Sequence, residues 1–491
     1  MMTANYYELI HNQLIKQADS ELVVWPCKDP AKPATAYTGR AILDRVASIR
    51  AELARQNVQP GQPVMLAMPV SFDLICGLLA IMAHGAIPVL PPAAASLWTL
   101  FSVLRHGSIR AVFTQRQPAR PVWWLLRLAG ITPVCTENST TVSGQWLPPQ
   151  PVLADQPALI SHSSGSTGKA KSIRRIHRVL LAQHQALDDA FPSWPGQRDF
   201  PLFPNILLHN LALGTVSILP DLPGFKLTPL EPDRIIQQLV DRHVQTMTGN
   251  VYYFQHLLRY LQTHPQAFPH VRAVGIGGSP VPEGLVHSLK QYFVQATIYI
   301  IYGSSEAEPI AVRAVGPEPP NPRAGYTVGV IQPSLQVNIH PIGTLSFADG
   351  TAQAVGEIAV QGPHVAVAGL DWLLTGDFGY LNEANELVLT GRRGNERVHQ
   401  GVQHYQVEHV LAHVAGVERV AALATEQGFT VYIQGKAAET DLLIALSANF
   451  PEGLINHLYF RPTLPVDARH LSKIRYDQLK ESPPPYALRI L

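Results

Sequence analysis

Charge is scarce in this chain of 491 residues. Thirty-seven lysines and arginines stand against 36 aspartates and glutamates, so the net charge is +1 and only 15% of residues are charged. Proteins that hold nucleic acid carry a basic excess, and nothing in this balance points to such a partner. Cysteine is scarcer still, with three residues, Cys27, Cys76 and Cys135. An odd count at irregular spacing excludes a disulfide framework and a zinc-ligand pattern, and a reducing cytoplasm is the setting expected. Long apolar runs are missing as well. The longest, Leu74 to Ala83, has ten residues and closes at His84 and Pro88. It is too short to span a bilayer and reads as a core helix turning into a strand at Ile87–Leu90. The N-terminal ten residues lack the basic-then-apolar design of a signal peptide.

What the chain does have is interior. Hydrophobic residues make up 46% of a length well beyond one minimal core, which sets two domains as the expectation. Strand and helix patterns alternate, as in Gly61–Ala67 before the Leu74 helix and Val271–Ile276 before Val281–Gln291. Such alternation predicts parallel sheets covered by helices, an α/β chain. After Pro322, Gly325–His340 and Gly356–Gln361 read instead as antiparallel strands, making the chain α+β overall. The 42 prolines cluster between elements, as at Pro148–Pro151 and Pro317–Pro322, where they act as turn and linker chemistry.

One stretch concentrates anion chemistry: Ser163-Ser164-Gly165-Ser166-Thr167-Gly168-Lys169-Ala170-Lys171. It follows the apolar Ala158–Ile160 and precedes helical spacing at Val179–Leu187. A strand, a loop of glycines and hydroxyls with lysines, and a helix form a phosphate-binding device. The order of residues is not that of a P-loop, because only Ser166 and Thr167 separate Gly165 from Gly168 and Ala170 follows Lys169.

The loop resembles the Thr-Ser-Gly-Thr-Thr-Gly-x-Pro-Lys-Gly stretch of the adenylate-forming acyl and aryl acid ligases. Five further patches resemble that family in its own order. They are Gly277-Gly278-Ser279-Pro280, Tyr302-Gly303-Ser304-Ser305-Glu306, Thr375-Gly376-Asp377, Gly391-Arg392 and the segment from Leu464 to Lys473. The resemblance implies that Gly278, Ser279 and Pro280 form the adenine slot and that Tyr302 lies on the base beside Gly303. It implies that Ser305 reaches phosphate, that Glu306 holds Mg²⁺, that Asp377 binds both ribose hydroxyls and that Arg392 contacts the nucleotide. Ser163, Ser164, Gly165, Ser166, Thr167 and Gly168 would grip the phosphates of ATP, and Lys171 would anchor their loop. Thr167, Glu306 and Lys473 are the expected catalytic residues. The implied architecture is a large N-terminal domain (1–390) of helix-covered sheets plus a small β-barrel-like lobe. A hinge at 391–394 and a small mobile α+β domain (395–491) carrying Lys473 complete it.

The chemistry implied is attack of a carboxylate on the α-phosphorus of ATP, then transfer of the acyl group to the thiol of CoA or of phosphopantetheine on an acyl carrier protein. The partner expected is thus a small-molecule carboxylic acid, fatty, polyketide or aryl. Departures from the family spelling stand at Ala170 and Ser172 in the loop, and at Pro204, where a pocket-gating histidine is usual and Asn205 or His209 could substitute. Gly394 stands where a charged hinge residue is common. The wording around Tyr302, Pro201–Pro204 and Pro465–Lys473 is nearest the branch with olefin-pathway β-lactone synthetases and secondary-metabolite acyl ligases. A β-lactone synthetase, which closes a β-hydroxy acid without a thiol, is therefore one alternative. A nucleotide- or acyl-binding protein without catalysis is another, disfavoured by Glu306, Asp377, Arg392 and Lys473 together. Glu308 reads as a pocket-rim carboxylate, and His177 and His209 read as core residues.

Overall fold

The structure is a computed structural model that describes residues 4–27, 34–92, 97–117, 119–138, 144–164, 170–222, 225–318, 321–367, 371–467, 471–481 and 488–489. The chain forms two compact units. One comprises Met1–Met247, Ser305–Glu308 and Pro363–Ala368; the other comprises Thr248–Ser304, Pro309–Gly362 and Gly369–Leu491.

The first unit holds a six-stranded sheet in the order Thr132–Cys135, Ala111–Thr114, Pro63–Leu66, Ile87–Val89, Pro157–Ser164 and Ala170–Ile176. All neighbours are parallel except the last pair. The ten-residue apolar run lies in the helix Phe72–Ala83, where every residue from Cys76 to Ala83 is buried. Ser71 starts that helix by accepting the Leu74 N–H at 3.2 Å, which satisfies a backbone donor left over at a helix start. Gly85, at φ +75°, ends the turn that follows. Ile42, Leu43, Ile49 and Leu53 of the helix Gly39–Arg55 belong to the same core. Each such side chain contributes roughly 1.5–3 kcal/mol by leaving water. A second group of strands, Arg198–Pro201, Val216–Ile218, Glu21–Trp25 and Thr35–Thr38, is parallel up to its antiparallel last member. Asp199 is buried on it and accepts from Thr246 Oγ1 at 2.6 Å and Asn210 Nδ2 at 2.8 Å. Burial pushes its carboxyl up to about 6, although both hydrogen bonds favour the ion.

In the second unit, Ala273–Gly277 and Thr297–Tyr302 run parallel. From there the sheet continues antiparallel through Ala311–Ala314, Tyr326–Ile331, Glu386–Arg392, Leu373–Leu381, Ala352–Gln361 and Gln336–Ser346. Of these, Tyr326–Ile331, Gln336–Ser346 and Ala352–Gln361 cover the stretches expected as antiparallel strands after Pro322. A separate four-stranded sheet, Val417–Ala424, Phe429–Gly435, Ile455–Phe460 and Leu488–Arg489, contributes Val420, Val431 and Leu458 to a core with Val407 and Leu411 of the helix His404–Ala412. The mixed α/β class expected from the sequence is the one observed. Cys27, Cys76 and Cys135 are free thiols. Among the described residues no helix is long and apolar enough to cross a membrane.

One local expectation fails. The phosphate loop does not lead straight into a helix, because a second strand, Ala170–Ile176, intervenes and pairs antiparallel with Pro157–Ser164. The helix, His177–Ala190, begins only after it. Its sequence explains this, since Ile173 is 2% exposed between the exposed Ser172 and Arg174, the alternation of a strand. Tyr302 ends a strand whose next partner, Ala311–Ala314, is antiparallel, so the chain turns back into the sheet after it.

Candidate active site

In the first unit the expected phosphate side is organised by the hairpin. Ser163 and Ser164 close its first strand, whereas Gly165, Ser166, Thr167 and Gly168 lie outside the described residues. Lys171, opposite Ser163 in register, places its Nζ 3.3 Å from Glu306 Oε1, with Glu306 17% exposed. Glu306 is held by its own backbone: its carbonyl accepts from Ala366 N at 2.7 Å, and Ala307 bridges Val365. Arg175 lies on the same face of the strand as Lys171. It donates to Ser161 Oγ at 2.9 Å and to the carbonyl of Ser305. Sequence reasoning missed Arg175; the period of two in Lys171-Ser172-Ile173-Arg174-Arg175 is the signal that marks it. Glu308 accepts from Asn205 Nδ2 at 3.0 Å, so the residue after Pro204 faces this rim. His209 turns instead to His184, with Nδ1 atoms 3.0 Å apart. Burial pushes His209 down to about 3 and His184 also downward, which keeps both neutral near pH 7. His177 is buried too and accepts the Tyr6 N–H at 3.0 Å.

In the second unit three expected nucleotide residues meet. The Tyr302 hydroxyl donates to Asp377 Oδ2 at 2.9 Å across 75 residues of sequence. Arg392 ion-pairs with Asp377 Oδ1, and the Asp377–Arg392 register of adjacent strands aligns the pair. The negative charge of Asp377 drives the Arg392 pKa upward, so the guanidinium stays charged. Thr375, which the motif reading did not assign, accepts the Asp377 N–H at 3.1 Å and donates to the Ile358 carbonyl at 2.9 Å. Burial and the facing carboxylate raise the Tyr302 phenol well above its ordinary value, so it remains a donor. Gly278 has φ +83°, which makes glycine necessary at this turn. A Cβ on the neighbouring Gly277 would lie 2.7 Å from the Ile301 carbonyl oxygen. Beside it the Ser279 hydroxyl is buried with no hydrogen-bond partner among the described residues, and Pro280 closes the turn. A buried donor left unsatisfied costs about 1–3 kcal/mol, and a purine edge at this turn would relieve it. Gly303 continues from Tyr302, and Ser305 is the Arg175 partner described above.

Lys473 is carried by a loop whose base is tied. Its N–H donates to Asp467 Oδ1 at 3.1 Å, its carbonyl accepts from Asp467 N at 2.9 Å, and Val466 bridges Ile474. Three residues on, the Tyr476 hydroxyl donates to Glu408 Oε1 at 2.7 Å, and Ala422 N–H to the same oxygen at 2.9 Å. Glu408 is fully buried, and desolvation pushes its carboxyl up to about 8.

The profile of the AMP-binding enzyme family matches residues 11–368. The chain belongs to the AMP-binding enzyme family. Among members with curated descriptions, the olefin β-lactone synthetase of Stenotrophomonas maltophilia is 30% identical over 369 residues, 66% of each chain. That of Xanthomonas campestris is 27% identical over 344 residues, 64% of this chain and 61% of the relative. The match thus spans just under two thirds of the length of these relatives. The 2-succinylbenzoate–CoA ligase of Oceanobacillus iheyensis is 26% identical over 277 residues, 52% of this chain and 54% of the ligase. AMP-binding enzymes of solved structure share the fold. The o-succinylbenzoate coenzyme A synthetase of Bacillus subtilis in complex with AMP superposes with a TM-score of 0.75 at 16% identity, over 98% of both chains. ATP-bound MatB of Rhodopseudomonas palustris gives 0.76 at 17% identity, over 98% of this chain and 99% of its own.

Proposed function

We propose that this AMP-binding enzyme activates a carboxylic acid, fatty, polyketide or aryl, as its acyl-adenylate and transfers the acyl group to the thiol of CoA or of an acyl carrier protein, releasing AMP. The observation that carries the reading is the Tyr302–Asp377–Arg392 cluster, a carboxylate fixed by a phenol and a guanidinium where the motif order puts the ribose. Asp377 accepts the two ribose hydroxyls, and Arg392 pairs with it. Tyr302 covers the base, and Ser279 meets its edge at the Gly278–Pro280 turn.

MgATP is a substrate here. Magnesium takes oxygen ligands and usually keeps waters, bound through one or two carboxylates and the phosphates; Glu306 suits that role and Lys171 holds it in place. Two anions meet as the acid carboxylate approaches the α-phosphate, so positive charge must be aimed there. Lys473, whose backbone is tied to Asp467 at the base of its loop, supplies it as a compact ammonium on a long stem. Thr167, with Ser163, Ser164, Gly165, Ser166 and Gly168, grips the phosphates. The electron pair of the carboxylate forms the new P–O bond, and the bond to pyrophosphate breaks. In this reading residues 1–390 bind ATP and acid, 391–394 are the hinge, and 395–491 move between the two half-reactions, in the cytoplasm.

A second reading, closure of a β-hydroxy acid to a β-lactone, is favoured by the identity with the two olefin β-lactone synthetases. The two separate on thiol dependence. A panel of fatty, β-hydroxy and aromatic acids is incubated with MgATP, with and without CoA or carrier protein, and AMP and acyl product are measured. Thioester formed only with thiol supports the ligase. Product release from β-hydroxy acids alone, without any thiol, replaces it with the lactone former.

A further inference from the structure

From Leu74 to Thr136 the chain has no aspartate or glutamate, yet Arg105, Arg110, Arg116, Arg120 and Arg127 fall there. All five are exposed, and Arg116 reaches the first acid beyond the stretch, Glu137, at 3.4 Å. Within it stands the nine-residue helix Arg120–Leu128. Successive residues turn by about 100°, so Trp123 and Leu126 share one side of it. That side faces protein: both are half-buried, and Leu126 packs on the core of Met65, Val112 and Ile131. The other side carries Trp124, Leu125 and Leu128, which are 61%, 63% and 80% exposed. Arg120 and Arg127 line one flank of this face, with the Arg127 guanidinium 4.1 Å from the Trp123 ring centre. A surface helix of a folded protein ordinarily turns its polar side outward; this one turns tryptophan and leucine outward and edges them with arginine.

We propose that the Arg120–Leu128 helix docks the protein on an anionic lipid surface. Trp124, Leu125 and Leu128 enter the interface between headgroups and acyl chains, and Arg120 and Arg127 on their flank meet the lipid phosphates. Three features favour a bilayer over an acidic protein. The apolar groups project from the outer side of a convex helix, so a protein partner would need a pocket for each, whereas a bilayer admits them between headgroups. The charge is of one sign over the whole stretch, which suits a uniformly negative plane. Tryptophan with arginine beside it is the composition of a membrane-interface anchor. Such docking would bring an activating enzyme to apolar acids where they partition.

The test is co-sedimentation of the full chain with vesicles of phosphatidylcholine alone and of phosphatidylcholine with phosphatidylglycerol. The expected result is binding to the anionic vesicles only. Trp124→Ala with Leu128→Ala should weaken it about tenfold or more. Arg120→Gln with Arg127→Gln should weaken it and flatten its salt dependence. These side chains are exposed, so unchanged melting of the variants shows that folding is intact. The proposal is overturned if neither vesicle is bound, if the Trp124/Leu128 variant binds as well as the parent, or if the variant abolishes self-association or carrier-protein binding while vesicles have no effect.

Discussion

Asp377 accepts the Tyr302 hydroxyl and the Arg392 guanidinium, so its replacement removes the proposed ribose ligand and strips Arg392 of its counter-charge. Asp377→Ala should weaken ATP binding by ten- to a hundredfold, on the scale of about 1.5–3 kcal/mol for a hydrogen bond to a charged group. Calorimetric titration with ATP checks it, and an unchanged dissociation constant would refute the ribose assignment. The motif order named Tyr302, Asp377 and Arg392 separately, but no sequence pattern joins a tyrosine to an aspartate 75 positions away. Their meeting depends on strand order. Thr375 and Arg175 escaped notice for a related reason: each acts through a hydrogen bond to backbone, and backbone positions are not written in residue types. Glu408 is a buried acid whose role also appears only in three dimensions. In the unfolded chain it ionises near about 4.3; in the fold, burial moves it to about 8. A raised folded pKa means that the folded state holds the proton more tightly, so its stabilising contribution is full below the unfolded value and is lost as pH rises towards 8. Buried histidines such as His404 and His409, pushed down to about 3, act oppositely at lower pH. Glu408→Gln cannot ionise, so from pH 5 to 8 its melting temperature should fall less than that of the parent. Parallel curves would contradict the assignment.

The hairpin Pro157–Ser164/Ala170–Ile176 shows where element-level reading stops. Its first strand and the helix His177–Ala190 are plain from apolar runs and helical spacing, whereas the second strand hides beneath charge, with Lys171, Arg174 and Arg175 around Ile173. Charged residues obscure a strand that exposes one face, because the alternation rests on Ile173 alone. The same charges make the hairpin useful, since they place Lys171 beside Glu306. At the proposed hinge, Gly394 has φ +90° with open space around its Cα, so conformation and not crowding demands glycine. Gly394→Ala should cost about 1–2 kcal/mol in stability. If rotation occurs there, thioester formation should fall while acid-dependent ATP–pyrophosphate exchange persists. Equal loss of both would place the moving joint elsewhere.

Strand–helix alternation and the antiparallel strands after Pro322 were both readable, because each depends on periodicity along the chain, whereas the antiparallel strand Ala311–Ala314 before it was missed. The division into units was not. Ser305–Glu308 and Pro363–Ala368 join the first unit although their neighbours in sequence belong to the second, and such an exchange is set by packing that no local window contains. The meeting of Asn205 and Glu308 across 103 residues was unreadable for the same reason. The proposed function assigns the loop at Ser163, the Asp377 cluster and the Lys473 loop to one reaction, and that reaction can be measured directly. Acid-dependent ATP–pyrophosphate exchange is followed for the parent chain and for Lys473→Ala across the acid panel. The account predicts exchange with at least one acid, and a loss of about a hundredfold or more in the variant, whose melting is unchanged. Exchange by Lys473→Ala at the parent rate would contradict the role given to Lys473, and no exchange with any acid by a parent chain that binds ATP would contradict adenylation itself.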